Sequence, residues 1–342
     1  MSIRKSLILT AALALAMLIW LAWPFYQFYG HRNELPLGPF GWIELPDSPP
    51  QRQTLHDPAY RNQAAQAMDA LRHHRKRLGL PALSAAVAVR GELVWAGTIG
   101  WQDIESSTPA TPDTMFRIGS TSKALTATAL ARLVDAGTIE LDAPIENYLN
   151  PLPNPEWTGI TPRMLASHMA GLPHYRENSD WLGLYRSVSL STRYETMADA
   201  LDVFDGSDLL FEPGTEFHYS SLGTVLLGAV IGAAADRSYR EVMQREVFAP
   251  TAMNATIVAP PRAEGTASMA TSYLRDGASF RPWRPVDQSH RLPAGGWAAT
   301  SSDLARMGIA WLDDGYISAA TRQRFWTPQQ LASGEINSQE YA

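Results

Sequence analysis

The sequence predicts an α/β (α+β) fold, a sheet assembled from both ends of a domain with a helical lobe between them. Three observations carry that expectation. Two apolar runs, residues 82–89 and 92–97, flank Arg90-Gly91 and read as a hairpin. From about residue 120 to about residue 250 the pattern is mainly helical. Strand character returns at residues 294–300, where two glycines open the run AGGWAAT. Clefts between two such lobes are common sites of chemistry.

Composition sets the outer bounds. With 342 residues, 45% hydrophobic and 18% charged, the chain can form one large domain or two small ones with a sizeable core. A net charge of −6 gives no support for a nucleic-acid partner. The chain has no cysteine, which excludes disulfides, thiol catalysis and cysteine metal sites but leaves the compartment open.

Residues 1–29 read as a membrane anchor. An apolar run extends from Leu7 to Trp23, and aromatic residues continue to Tyr29. Seventeen helical residues rise about 25 Å, and the aromatic band supplies the rest of a bilayer core. The alternative is a cleaved signal peptide. Ala12, Ala14 and Ala16 provide small residues, but they lie inside the apolar run and bulky Leu18-Ile19-Trp20-Leu21 follows, so a retained anchor is favoured. Arg4 and Lys5 put the N-terminus in the cytoplasm. The expectation is a single-pass protein of the inner membrane with its catalytic domain on the periplasmic or extracytoplasmic side.

Residues 30–52 carry five prolines and two further glycines after Gly30, and read as an extended linker. The remaining domain is taken as 53–342. Residues 58–80 are expected to be helical, with Arg72 to Arg77 as a solvated basic face. Residues 259–292 read as a long loop, and Ser301-Ser302-Asp303 as the start of another helix.

The chemical centre is Gly119-Ser120-Thr121-Ser122-Lys123, followed by the uncharged run ALTATALA. A helix apolar on all sides is a buried helix. Residues three apart share a helix face, so Lys123 stands beside Ser120. Only Lys5, Lys76 and Lys123 are lysines in a chain with 28 basic residues. Unlike arginine, a buried lysine can give up its proton, so this pair fits a nucleophile and its base. The same spacing at Ser2-Ile3-Arg4-Lys5 carries no such chemistry, because it lies at the extreme N-terminus.

These residues, with Ser167-His168-Met169-Ala170-Gly171-Leu172-Pro173-His174-Tyr175, Phe211-Glu212-Pro213-Gly214, Tyr219-Ser220-Ser221 and Ala294-Gly295-Gly296, resemble the serine β-lactamase and penicillin-binding protein superfamily. The pattern is that of class C β-lactamase-like serine hydrolases, in particular the mitochondrial serine β-lactamase-like proteins and their bacterial relatives. The resemblance runs from about Leu80 to the end. It implies Ser120 as nucleophile, Lys123 as partner base and Tyr219 as the second-motif tyrosine. It implies an acyl-enzyme on a peptide, β-lactam or ester carbonyl, with no cofactor and no metal. Ser221, His218, Gly295 and Gly296 are the expected substrate-binding residues.

The chain departs from that pattern twice. Ser221 stands where the family often has asparagine. The family's third motif, Lys-Thr-Gly or His-x-Gly on a strand facing the serine, has no counterpart after Gly296. The expectation is therefore a fold lacking its C-terminal strands, in a truncated product of an active parent. The rival reading is a non-catalytic scaffold or filament-type assembly protein on a degenerate hydrolase fold, and a homo-oligomer fits either. Glu146-Asn147-Tyr148-Leu149-Asn150 spells an E-x-x-L-N pattern, but it comes only 26 residues after Ser120 and reads as a turn into a short helix. His168 and His174 lack a third nearby ligand at helical spacing for a metal.

Overall fold

The computed structural model describes residues 3–32, 34–261, 263 and 268–342. It opens with α1 (Ile3–His31), β1 (Ile43–Glu44), β2 (Gln51–Leu55), α2 (Arg61–Leu78), β3 (Ala82–Val89), β4 (Glu92–Asp103), β5 (Thr108–Pro109) and β6 (Phe116–Arg117). The helical lobe follows with α3 (Ser122–Asp135), α4 (Pro162–Ala166), α5 (Trp181–Ser189), α6 (Ser221–Ala234) and α7 (Tyr239–Val242). The chain continues through β7 (Ile257–Val258), β8 (Tyr273–Asp276), β9 (Ser279–Pro282), α8 (Leu292–Gly295), β10 (Trp297–Ala299), α9 (Ser301–Trp311) and α10 (Ala319–Trp326).

Among the described residues the strands form three small sheets. The predicted hairpin forms as β3–β4, in register at Ala85↔Gly97, with β2 on the other side of β4 and β5 at its end. A second sheet has the order β6-β10-β7, and a third β1-β9-β8. β10 brings together β6 and β7, far apart in sequence, but the β3–β4 hairpin lies in a separate sheet, so the hairpin and the strand near residue 294 do not share the single sheet expected of them.

Periodicity explains which faces are covered. In α2, Ala64, Met68, Leu71 and Arg75 recur at helical spacing, and all four are buried. Ala64, Met68 and Leu71 pack on Val94, Trp95 and Ile99 of the hairpin. Of the basic run, Arg75 turns inward and its Nε donates to the Pro81 carbonyl at 3.2 Å. The main core lies in the helical lobe. Leu125, Ala129 and Leu130 of α3 meet Leu222, Val225, Leu226 and Val230 of α6, with Trp157 and Phe204 alongside. Each fully buried leucine there contributes about 2 kcal/mol of transfer free energy.

Two expectations change. Residues 30–52 are not a free spacer. Ile43 and Glu44 pair with Phe280 and Ser279, the Arg281 guanidinium lies 4.9 Å from the Trp42 ring, and Glu34 pairs with Arg32 and Arg176. Extended, proline-rich backbone is also backbone that can pair at an open sheet edge. Within the expected long loop, residues 273–282 form the β8–β9 hairpin, while residues 262 and 264–267 lie outside the described residues.

Candidate active site

Ser120 sits on the 3₁₀ turn Gly119–Thr121 that runs directly into α3. Strand pairing fixes this turn. Arg117 pairs with Ala298, the Ile118 N–H donates to the Trp297 carbonyl at 3.1 Å, and the Trp297 N–H donates to Ser122 Oγ at 3.4 Å. The first N–H groups of a helix have no intrahelical acceptor, so the turn presents donors and positive potential where Ser120 stands.

Lys123 lies one turn on, and only 9% of it is exposed. Its Nζ is 3.5 Å from Ser120 Oγ, 3.0 Å from Ser221 Oγ and 3.0 Å from the Ala294 carbonyl oxygen. The same ammonium lies 4.8 Å from the centre of the Tyr219 ring. The Tyr219 hydroxyl donates to Ser120 Oγ at 2.9 Å. Burial pushes the Tyr219 phenol up, but hydrogen bonding and charge from Lys123, with hydrogen bonds to Ser120 and Ser221, outweigh it and hold the phenol below its ordinary value.

Tyr219 and Ser221 flank Ser220, the N-cap of α6. The Ser220 hydroxyl accepts the Gly223 N–H at 2.9 Å and donates to the Pro173 carbonyl at 2.7 Å. Two histidines support the segment from below. His174 Nδ1 accepts the Ser221 N–H at 3.2 Å, and His168 Nδ1 accepts the Ser220 N–H at 3.4 Å. The His168 ring lies 4.6 Å from the Tyr219 ring. Burial lowers His168 to about 3 and His174 to about 4, and the Lys123 charge pushes both the same way. Both rings are therefore neutral acceptors at neutral pH.

The four expected binding residues divide. Ser221 is in the centre, but its hydroxyl faces the Lys123 ammonium. Gly295 packs on the Gly119 backbone, one residue before the serine. Gly296 is buried, and a Cβ there would fall 2.8 Å from Leu292 Cα, so its need is packing. The expected glycine-opened strand starts only at Trp297, because Leu292–Gly295 closes as a helical turn with Pro293 near its start. His218 is held by Glu177, with Nε2 2.8 Å from Oε2, and does not line the cavity beside Ser120. Sequence reasoning missed the Ala294 carbonyl as a lysine acceptor and the support that His174 gives Ser221. The only signal for His174 was its place in the Ser167–Tyr175 segment.

A cavity of about 760 Å³ opens beside Ser120. Lys123, Tyr219, His168, Arg163, Arg324 and Gln329 give it polar lining, and Ala124, Ala127, Leu227, Trp311 and Phe325 give it apolar walls.

Comparison with known proteins bears on the family and the fold. The chain is 26% identical over 336 residues to the serine beta-lactamase-like protein LACTB, mitochondrial, of Homo sapiens, covering 76% of this chain and 61% of that protein. Penicillin-binding protein 4* of Bacillus subtilis is also 26% identical, over 72% of this chain and 55% of that one. The chain thus spans about three-fifths of the length of these curated relatives. Among solved structures, D-amino acid amidase from Ochrobactrum anthropi SV3 superposes with a TM-score of 0.63 at 25% identity, covering 77% of this chain and 75% of that one. The profile of the Beta-lactamase family matches residues 65–337, so this chain belongs to that family of serine hydrolases, in which an acyl-enzyme mechanism is typical.

Proposed function

We propose that this chain is a serine hydrolase of the class C-like type, with Ser120 as nucleophile and Tyr219 and Lys123 as its acid–base pair. The observation that carries the reading is the 2.9 Å contact of the Tyr219 hydroxyl with Ser120 Oγ, with Lys123 Nζ 3.5 Å from the same oxygen. A serine hydroxyl attacks only when a neighbour removes its proton. Tyr219 is the nearer group, and the Lys123 ammonium favours its phenolate. Ser120 Oγ attacks the acyl carbon as its proton passes to Tyr219. The oxyanion is stabilised by the Ser120 N–H at the start of α3. Tyr219 then protonates the leaving group, and water releases the acyl product by the reverse sequence.

The substrate is a peptide, β-lactam or ester carbonyl. The names of the relatives support an amide-type carbonyl, since they include penicillin-binding proteins and an amidase. The long apolar α1, whose apolar window is not buried against the domain, supports a single-pass anchor with the hydrolase outside the cytoplasm.

A fluorophosphonate probe and a fluorescent penicillin, applied to the membrane-inserted chain, test the reading. Covalent labelling of the wild type that disappears in Ser120→Ala is the expected result. A folded wild type that takes up neither probe would overturn it in favour of a non-catalytic scaffold.

A further inference from the structure

A second cavity, of about 380 Å³, opens between α1 and the β8–β9 hairpin. Trp23, Leu37, Leu274 and Trp283 give it apolar walls, and Arg281 and Arg284 bring two guanidinium groups to it. Among the described residues no carboxylate lines it. Neutral carbonyls hold both cations. Arg284 donates to the Ser189 and Val188 carbonyls at 2.7 and 2.9 Å, and its Nε is buried without a partner. Arg281 donates to the Gly38 and Phe40 carbonyls at 3.2 and 3.4 Å. Neither forms an ion pair with a carboxylate among the described residues. Asp103 and Glu105 border the neighbouring cavity that shares Arg284; Asp103 is occupied by Thr271, Ser106 and Tyr273, and Glu105 is exposed to solvent. Two fixed, unneutralised guanidinium groups in a partly apolar recess are a site for an anion with several acceptor oxygens.

The height of the cavity says which anion. Trp23 ends the apolar run of α1, and Tyr26 and Gln27, which also line the cavity, lie about 4–6 Å further along the helix axis. At that level hydrocarbon gives way to headgroups. The adjoining α5, whose Tyr185 packs on Phe25, leaves Trp181 81% and Leu182 59% exposed, as an interfacial face would.

We infer that this cavity binds the phosphodiester of an anionic glycerophospholipid, with Arg281 and Arg284 on the phosphate and Trp23, Leu37 and Leu274 beside its acyl chain. The inference rests on the reading of α1 as a membrane span. A choline headgroup would set a third cation against two guanidinium groups, so phosphatidylglycerol is preferred to phosphatidylcholine.

The test uses the full chain in nanodiscs of phosphatidylglycerol or phosphatidylcholine, with retained lipid counted by native mass spectrometry. Gln27→Glu sets a carboxylate against the two cations without cutting the carbonyl contacts that hold them; Arg281→Gln removes one cation. The expected result is one retained phosphatidylglycerol, held at least about tenfold more weakly by either variant. Equal retention of the two lipids, or retention unchanged in Gln27→Glu, would overturn the site. Displacement by soluble glycerol phosphate as readily as by lipid would overturn the lipid assignment. Carbonate extraction of membranes checks α1 separately: release of the chain would overturn the span, and the lipid site with it.

Discussion

The Ser221 N–H donates to His174 Nδ1 at 3.2 Å, joining the start of α6 to a residue 47 positions earlier. The bond exists only while the imidazole is neutral, because an imidazolium nitrogen cannot accept. Burial holds His174 at about 4 in the folded chain, against an ordinary value of 6.5. Between those values the unfolded chain binds the proton more readily, so stability is present above 6.5 and is lost as pH falls toward 4. His168, at about 3, and the buried His290, well below its ordinary value, act with the same sign. Thermal unfolding temperature should therefore fall on acidification across this window. The fall should be shallower in His174→Gln, and an identical slope in the variant would remove His174 from the account.

Tyr219→Phe removes the hydroxyl that meets Ser120 and leaves the ring against His168. Acylation by a fluorescent penicillin should slow by about 10²–10⁴, the usual range for a general acid–base group. The phenol lies below its ordinary value, so wild-type acylation should rise with pH toward that lowered value, and Tyr219→Phe should lose this rise. A rise that persists in the variant would assign the titration to another group.

What the sequence discloses about this site follows the distance over which each contact is made. Ser120 and Lys123 are legible because three residues on one helix define their relation. Tyr219 is legible only through resemblance, since nothing local places residue 219 beside residue 120. The Ala294 carbonyl is not legible at all: it reaches Lys123 across 171 positions and is backbone, which no residue type marks. Gly295 and Gly296 mislead because glycine fits a strand opening and a tight helical turn equally well, and only tertiary packing decides, against Gly119 for Gly295 and against Leu292 for Gly296. Residues 30–52 read as spacer because proline-rich extended backbone has the same composition whether or not it finds an edge strand such as β9.

Asp303, in the first turn of α9, is 1% exposed and carries more than its place at a helix start predicts. Its Oδ2 accepts the Ala255 N–H and the Thr256 hydroxyl, both at 2.9 Å, and its Oδ1 accepts Arg306 at 2.7 Å. It thereby ties α9 to the chain entering β7. Asp303→Ala leaves two interior donors and a cation without an acceptor. Arg306 is about one-third exposed, so water recovers part of the loss. Denaturant unfolding should show a loss of about 2–3 kcal/mol; a change under about 0.5 kcal/mol, the range of ordinary surface substitutions, would contradict this role.

Gly228 in the middle of α6 joins stability to the site. A Cβ at this position would fall 2.2 Å from Pro293 Cγ and 3.0 Å from Pro293 Cβ. The ring cannot rotate away, so α6 and α8 must separate. The carbonyls of α8 then move: Pro293 accepts the Thr126 hydroxyl at 2.7 Å, and Ala294 accepts Lys123 Nζ at 3.0 Å. Gly228→Ala should cost about 1–3 kcal/mol, the usual range for overpacking a core, and should also slow acylation although residue 228 lies outside the lining of the cavity beside Ser120. Pro293→Ala removes the ring atom that meets the new methyl. The double variant Gly228→Ala/Pro293→Ala should therefore recover unfolding temperature and acylation rate together, with a coupling energy of the size seen for residues in contact, about 0.5–3 kcal/mol. Recovery of stability without recovery of rate would separate the helix packing from the placement of Lys123.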